Sequence, residues 1–248
     1  GYNMHHGWVL YSLAEHYLWA RDKGDLERIA PNLVAACDWI ANERRATMRM
    51  DHAGNRPIEY GLAPAGALED IGDFNYYYAT NAYYHLGMLT AARALREIGH
   101  PDAGRIAREA EEYRSDILAS IRSAAETSPV VRLRDGAYIP YVPSRAYALT
   151  HLSEGWIREA LYSPLHLRAG GVLEAGDPLV GWILHDLEDN IFLSRESGLG
   201  LERPERYFFS LGGFCPQPNL LPTAGVYLER GEVSNALRSL LNSAVSTL

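Results

Sequence analysis

Cysteine is nearly absent, with two in 248 residues, Cys37 and Cys215. Two isolated thiols make neither a disulfide framework nor a zinc site. No cofactor and no metal ligand set is assigned. An excess of basic charge is also missing. Lys and Arg number 23 against 31 Asp and Glu, for a net charge of −8, which excludes a nucleic-acid partner because phosphate binding needs a basic surface. No apolar run reaches the ~18–20 residues of a membrane span. The start, Gly1 to His6, has no basic segment leading into an apolar core, so no signal peptide is visible. The compartment is left open, with the cytoplasm favoured. A phosphate-cradling glycine loop with its lysine, a nucleophile elbow and a dinucleotide fingerprint are lacking too. The nearest glycine-containing run, Ser194 to Gly200, has the wrong spacing and comes after a helical pattern. The first residue is not Met, and Leu237 to Leu248 stops inside a helical pattern. The chain therefore reads as a fragment or a processed form. Its oligomeric state is open.

What is abundant is tyrosine, 16 residues, beside five tryptophans. These rings offer flat apolar faces with a polar edge, which suits both sugars and helix packing. They recur in a rhythm of aromatic-rich helix, short glycine turn and second helix. The turns are Lys23-Gly24-Asp25, Gly99-His100-Pro101-Asp102, Gly176-Asp177-Pro178 and Arg230-Gly231-Glu232. Glycine past a helix end supplies the left-handed stop, while Asp, Glu or Pro opens the next helix.

Apolar residues at spacings of three and four predict an inner helix over Gly7–Arg21 and an outer one over Asp25–Met48, restarted at Pro31. The same pairing returns at Phe74–Ile98 with Pro101–Ser123. It recurs at Ser153–Arg168 with Asp177–Leu193, and at Gln217–Glu229 with Glu232 onward. Between the second and third pairs, Asp135-Gly136 separates two apolar runs. That predicts a small β-hairpin over 130–142 with a tight primed turn. The fold expected is all-α: a single domain over residues 1–248, an (α/α) toroid with about four helical hairpins present, with the β-hairpin inserted.

In such an arrangement the loops before the inner helices converge at one end. They carry Asn3, His5, His6 and Trp8; Glu59, Tyr60, Glu69, Asp70 and Asp73; Tyr141, Arg145, His151, Glu154 and Trp156; and Phe214, Gln217 and Asn219. Crowded carboxylates raise one another's pKa, which can keep one protonated as a general acid. Glycosidic cleavage pairs such an acid with a second carboxylate, roughly 6.5–9.5 Å away in inverting enzymes and ~5 Å in retaining ones. Glu154 is the candidate second group. The carboxylates over 59–73 could instead cap helices or hold calcium, and Glu154 could be an ordinary first-turn residue. Arg145 could bind a substrate carboxylate as a fork. His5 and His6 are adjacent and so do not face the same way, which disfavours a two-histidine metal site. One of them lining the site is the better reading. His16 and His85 read as core histidines. Of Tyr76, Tyr77 and Tyr78, one or two at most can face the lumen.

Several stretches resemble the bacterial six-hairpin glycosidase superfamily. They are Gly61-Leu62-Ala63-Pro64-Ala65-Gly66, Glu69-Asp70, Gly72-Asp73 and Thr80-Asn81-Ala82-Tyr83, together with His6-Gly7-Trp8, Glu15-His16-Tyr17 and Gly212-Gly213-Phe214 with Gln217 to Pro222. The likeness runs from His6 to about Leu241 and implies an α/α toroid acting on carbohydrate, with loop carboxylates doing the chemistry. It implies Asp70 as general acid, with Glu69, Asp73 and Glu59 behind it. A full toroid has six hairpins, so this chain would be an incomplete one. The expectation is an inverting glycoside hydrolase with Asp70 as acid and Glu154 activating water. Its substrate-binding residues would be His5, His6, Trp8, Glu59, Tyr60, Tyr141, Arg145, Trp156, Gln217 and Asn219. A lyase or epimerase using His5, His6, His151 or Tyr141, or a non-catalytic carbohydrate-binding module, are the rivals.

Overall fold

The computed structural model describes residues 3–68, 71–147, 162–192 and 222–246. They are mostly helical. The elements in order are α1 (Asn3–Ala20), α2 (Lys23–Arg45), β1 (Gly66–Leu68), β2 (Ile71–Asn75), α3 (Tyr78–Glu97), α4 (Ala103–Thr127), β3 (Val130–Arg132) and β4 (Tyr138–Pro140). A short α5 (His166–Ala169) comes next, then α6 (Pro178–Asp186), a π-helix (Leu187–Phe192), α7 (Thr223–Glu229) and α8 (Val233–Ser246). No described helix is long and apolar enough to cross a membrane. The chain divides into two compact units, Gly1–Arg122 with Gly170–Val172, and Ser123–Ala169 with Leu173–Leu248.

In the first unit, α1 and α3 lie side by side and run the same way: Gly7 meets Tyr83 and Tyr84, Gly87 meets the Gly7 carbonyl and Leu10, and Arg21 pairs with Glu97. Both glycines are needed there, because a Cβ on Gly7 would sit 2.5 Å from the Tyr83 carbonyl carbon and one on Gly87 2.8 Å from the Gly7 oxygen. α2 folds back along α1, bringing Ala36 and Trp39 to His6. α4 folds back along α3, joining Tyr78 to Ser120 and Asn81 to Tyr113. Two antiparallel pairs therefore stack in register. α2 buries one stripe, Leu26, Ala30, Leu33, Cys37 and Ile40, as its spacing predicts.

Three details differ from the expected pattern. Gly24 does not stop α1. Arg21 takes the left-handed conformation at φ 59, and Asp22 caps α2 by accepting from the Asp25 N–H at 3.0 Å, so Gly24 lies inside the helix. Pro31 does not restart α2, which runs through it unbroken. The helix expected from Phe74 begins only at Tyr78, because Ile71–Asn75 pairs with Gly66–Leu68 as a β-hairpin. The Gly99 turn is as read: Gly99 at φ 71 donates to the Arg96 carbonyl and His100 to that of Leu95, the paired bonds of a Schellman stop. Glu232 and Gly231 repeat it on Tyr227 and Leu228.

In the second unit β3 and β4 pair as predicted, Val131 opposite Ile139. The turn is wider than a two-residue one. Gly136 donates to the Leu133 carbonyl and takes φ 92, and Leu133 donates to the Ala137 carbonyl, the three-residue loop that ends in a left-handed glycine. The helix expected over Ser153–Arg168 is broken at its described end: Tyr162 to Leu165 are not helical, and only His166–Ala169 is. Pro164 explains this, since it disfavours a helical residue before it. Asp177 caps α6 through the Leu179 N–H, with Pro178 in the first turn.

Arg21→Gly should be neutral or stabilising in urea unfolding. It removes about 1–2 kcal/mol of left-handed strain and loses an exposed ion pair worth little and a long contact with the Tyr17 ring at 6.0 Å. Gly7→Val should destabilise by about 1–3 kcal/mol or more through overpacking. Equal melting of Gly7→Val and the parent would contradict the α1–α3 packing.

Candidate functional site

The segment that leads to Glu69 and Asp70 is held rigidly from both sides. Arg44, on the last turn of α2 and 1% exposed, donates through Nε to the Gly61 carbonyl at 3.2 Å and through Nη2 to Asp116 of α4 at 2.5 Å. Its guanidinium lies 4.6 Å from the centre of the Tyr113 ring. Gly61 has φ 74, and a Cβ there would collide with the Asp116 carboxylate. Thr47 Oγ1 donates to the Leu62 carbonyl at 2.6 Å. Asn81 Oδ1 accepts from the Ala63 N–H at 2.8 Å and the Tyr113 hydroxyl at 2.6 Å, while its Nδ2 donates to the Tyr77 carbonyl at 2.7 Å. The Gly61–Gly66 stretch is thus a clamped strap, and Leu68 pairs with Ile71, the residues that flank Glu69 and Asp70 in the chain. Asp73 falls within β2. Glu69, Asp70, His151, Glu154, Trp156, Phe214, Gln217 and Asn219 lie outside the described residues, as does Cys215.

β1 lies against α1, and the start of α1 carries the aromatic groups. His5 stacks on Trp8 with centroids 5.8 Å apart and planes at 22°, and Trp8 meets Tyr83 edge-on at 5.0 Å. One residue on, the helix turns His6 the other way. It packs on Trp39 at 4.3 Å and edge-on to Tyr84 at 6.1 Å, with Nε2 3.3 Å from the Ala36 carbonyl. His5 and His6 therefore point in different directions, about 100° apart around the helix. His5 and Trp39 are exposed, Trp8 and His6 partly so. The amino-acid pattern does not single out Trp39, Tyr83 and Tyr84 as site residues. Trp39 sits off the buried stripe of α2, and that displacement is the one signal that could have found it. Burial raises the Tyr83 phenol, offset in part by a hydrogen bond with Trp8, and burial raises that of Tyr84 with Glu43 adding to it.

Glu59 and Tyr60 are half-buried at the near end of the strap. Tyr60 lies under the Arg56 guanidinium at 4.3 Å, and Arg56 pairs with Asp116. The Tyr76 phenol is raised by burial and by Glu59. Tyr77 and Tyr78 are core residues and Tyr76 alone of the triplet remains partly open.

In the second unit Tyr141 is buried in a cluster with Val131, Ile139, Leu133 and Trp182, and Arg145 is buried as well. Of the two helix-interior histidines, His85 is in the core, its Nδ1 2.7 Å from the Gly170 carbonyl, but His16 is exposed, because α1 buries only the sides facing α2 and α3. Cys37 is fully buried, and burial, reinforced by Asp38 and opposed by Arg105, pushes its thiol up to about 12. Among the described residues no group of three or more His, Cys, Asp or Glu side chains is placed to hold a metal. No family model, curated protein or solved structure matches this chain.

Two outcomes are expected. Asn81→Ala strands the Ala63 N–H and the Tyr113 hydroxyl, at about 1–3 kcal/mol for each buried group, while the Tyr77 carbonyl keeps its bond from the backbone N–H of residue 81. Urea unfolding should show a loss well beyond that of an exposed Asn→Ala change such as Asn42→Ala. Burial holds the His85 pKa below its ordinary 6.5. The unfolded chain then binds the proton first, so this group's contribution to stability is present above pH 6.5 and lost as pH falls below it. The parent's melting temperature should drop more steeply between pH 7 and 5.5 than that of His85→Gln. Parallel curves would contradict the assignment.

Proposed function

We propose that this chain is part of an α/α-toroid glycoside hydrolase that cleaves an oligo- or polysaccharide with inversion. In this reading Asp70 protonates the leaving oxygen and Glu154 activates water. Glu69, Asp73 and Glu59 tune the charge around Asp70. The observation that carries the reading is the aromatic and imidazole wall at the start of α1, beside the strand that leads to the carboxylates. Trp8 and Trp39 offer ring faces to a pyranose, and His5 and the Tyr83 hydroxyl offer polar edges. The stacking of two antiparallel helix pairs, with α1 parallel to α3, supports a toroid built by repeating that unit. The clamped strap supports a catalytic role for the carboxylates beyond its far end, because acid–base groups must be held in place before the substrate arrives.

The test is a panel of oligo- and polysaccharides read by release of reducing ends, with the anomer of the first product tracked by NMR. Inverted product is expected. Asp70→Asn and Glu154→Gln should each lower kcat by about 10²–10⁴-fold. Trp8→Ala should act mainly on KM. A product absorbing in the near ultraviolet would instead identify a lyase. Sugar binding without turnover in the parent would identify a binding module. Full activity in Asp70→Asn would overturn the catalytic assignment.

A further inference from the structure

The second unit holds a polar cavity that the hydrolase reading does not use. It encloses about 210 Å³ between α6, the π-helix, α7 and the start of α8, below the roughly 300–1,000 Å³ of sites for drug-sized ligands. Its occupant is therefore a single small molecule. Leu184 is the one aliphatic group in its wall. The rest are hydrogen-bonding side chains arranged in two charge-neutral sets. In the first, Glu188 Oε1 accepts from the Tyr227 hydroxyl at 2.8 Å and from Arg238 Nη2 at 2.6 Å. In the second, Glu232 accepts from Arg230 Nε at 2.7 Å on Oε1 and from Asn235 Nδ2 at 2.9 Å on Oε2.

Each arginine is thus matched to a carboxylate, and the wall carries no net charge to attract an anion, a cation or a zwitterion. What it offers is single donors and acceptors side by side. Both bonds to Glu188 land on Oε1, and among the described residues Oε2 accepts none. Arg238 Nε is buried with no acceptor among the described residues, on a side chain only 14% exposed. His185 stands exposed at the rim, one helical turn before Glu188, with its ring nitrogens available. Glu188 projects from a π-helix, a geometry that is rare and recurs at functional sites. Alternating acceptor and donor, carboxylate beside guanidinium, match the hydroxyls of a vicinal diol, each of which donates once and accepts once.

We propose that this cavity binds a neutral polyhydroxylated molecule the size of one sugar ring. Glu188 Oε2 accepts from one hydroxyl, Arg238 donates to its neighbour, and Asn235 and His185 hold the far edge. The residues that line the site fall within 184–238, and none of them is a carboxylate assigned to hydrolysis.

Calorimetric titration of the full chain with D-glucose, D-mannose, D-galactose and myo-inositol tests it, with inorganic phosphate and glycine as charged probes. At least one neutral probe should bind, and neither charged probe should. Asn235→Leu, which replaces the amide at the far edge with an apolar branch, should abolish that binding. His185→Ala, at an exposed position, should weaken it several-fold and decides the matter if Asn235→Leu does not fold by circular dichroism. Trp8→Ala should leave it unchanged. The proposal is overturned if no neutral probe binds, if phosphate or glycine binds and is lost in Asn235→Leu, or if binding survives both cavity variants. Loss of binding in Trp8→Ala alone would also overturn it, because the sugar would then sit on the α1 wall. Failure of Asp70→Asn to affect hydrolysis bears on the other site and leaves this result untouched.

Discussion

The buried guanidinium of Arg44 is the contact on which the first unit is organised. It reaches from α2 to Asp116 on α4, to the Gly61 carbonyl on the strap and to the face of Tyr113. Taking a cation out of water is expensive unless it is paired and its N–H groups are bonded. Here the partners come from the strap and from α4, so the charge is satisfied only when both helices and the strap are in place together. That makes the ion pair a device for uniqueness more than for net stability. A hydrophobic replacement of the whole group could be as stable, but it would not hold the Gly61 carbonyl in one position. Tyr113 passes the constraint on to Asn81, and Asn81 to Ala63 and Tyr77. One connected set of polar groups thus fixes the strap relative to the start of α3.

The helical pairs could be read from the chain because their signals are local. Apolar residues recur every three or four positions, and Gly99 and Gly231 punctuate them in the left-handed conformation. The Arg44 network could not be read in this way. Its bonds join residues 17, 18, 32 and 72 positions apart, and although Arg44 follows Ile40 by four on the buried stripe of α2 while Arg45 does not, nothing local names the partners that satisfy it there. Arg21 misled for a related reason. Its left-handed backbone is a tertiary compromise, held where α1 must turn back, with a glycine three residues on that carries the local signal instead. The β1–β2 hairpin was hidden by chemistry: carboxylates before a helix suggest caps and acids, and the alternation in Ile71–Asn75 is too short to compete.

The candidate site divides along the same line. His5, His6 and Trp8 were legible as a polar aromatic group, but they were expected in a loop before the helix and instead lie within the first turns of α1, which begins at Asn3. Their partners Trp39, Tyr83 and Tyr84 were not legible, because each looks like a packing residue of its own helix. The wall exists only because Gly7 and Gly87 let α1 and α3 approach closely enough for Trp8 to reach Tyr83. A tight helix crossing of this kind does two things at once. It removes side-chain volume from the interface, and it projects the neighbouring large rings outward to its rim. Gly7 thus acquires a physical role with Gly87: the two set where the rings can stand.

The cavity in the second unit illustrates the opposite economy. There the charges are satisfied chiefly by one another, Glu188 with Arg238 and Glu232 with Arg230, and only Arg230 also reaches a distant backbone carbonyl, that of Ala175 at 2.8 Å. Self-paired charges on a concave surface keep their geometry without a ligand and present fixed dipoles to whatever enters. Burial raises the Tyr227 phenol, and Glu188, as its acceptor, raises it further. Burial pushes the Glu232 carboxyl up, but bonds from Arg230 and Asn235, with the charges of Arg230 and His185, outweigh it and leave Glu232 below the usual carboxylate range. Phenol and carboxylate therefore keep fixed donor and acceptor roles across the neutral range. A phenol and a carboxylate with fixed roles are poorly suited to proton transfer and well suited to recognition. This argues for assigning binding to the cavity and for seeking acid–base chemistry at the strap of the first unit.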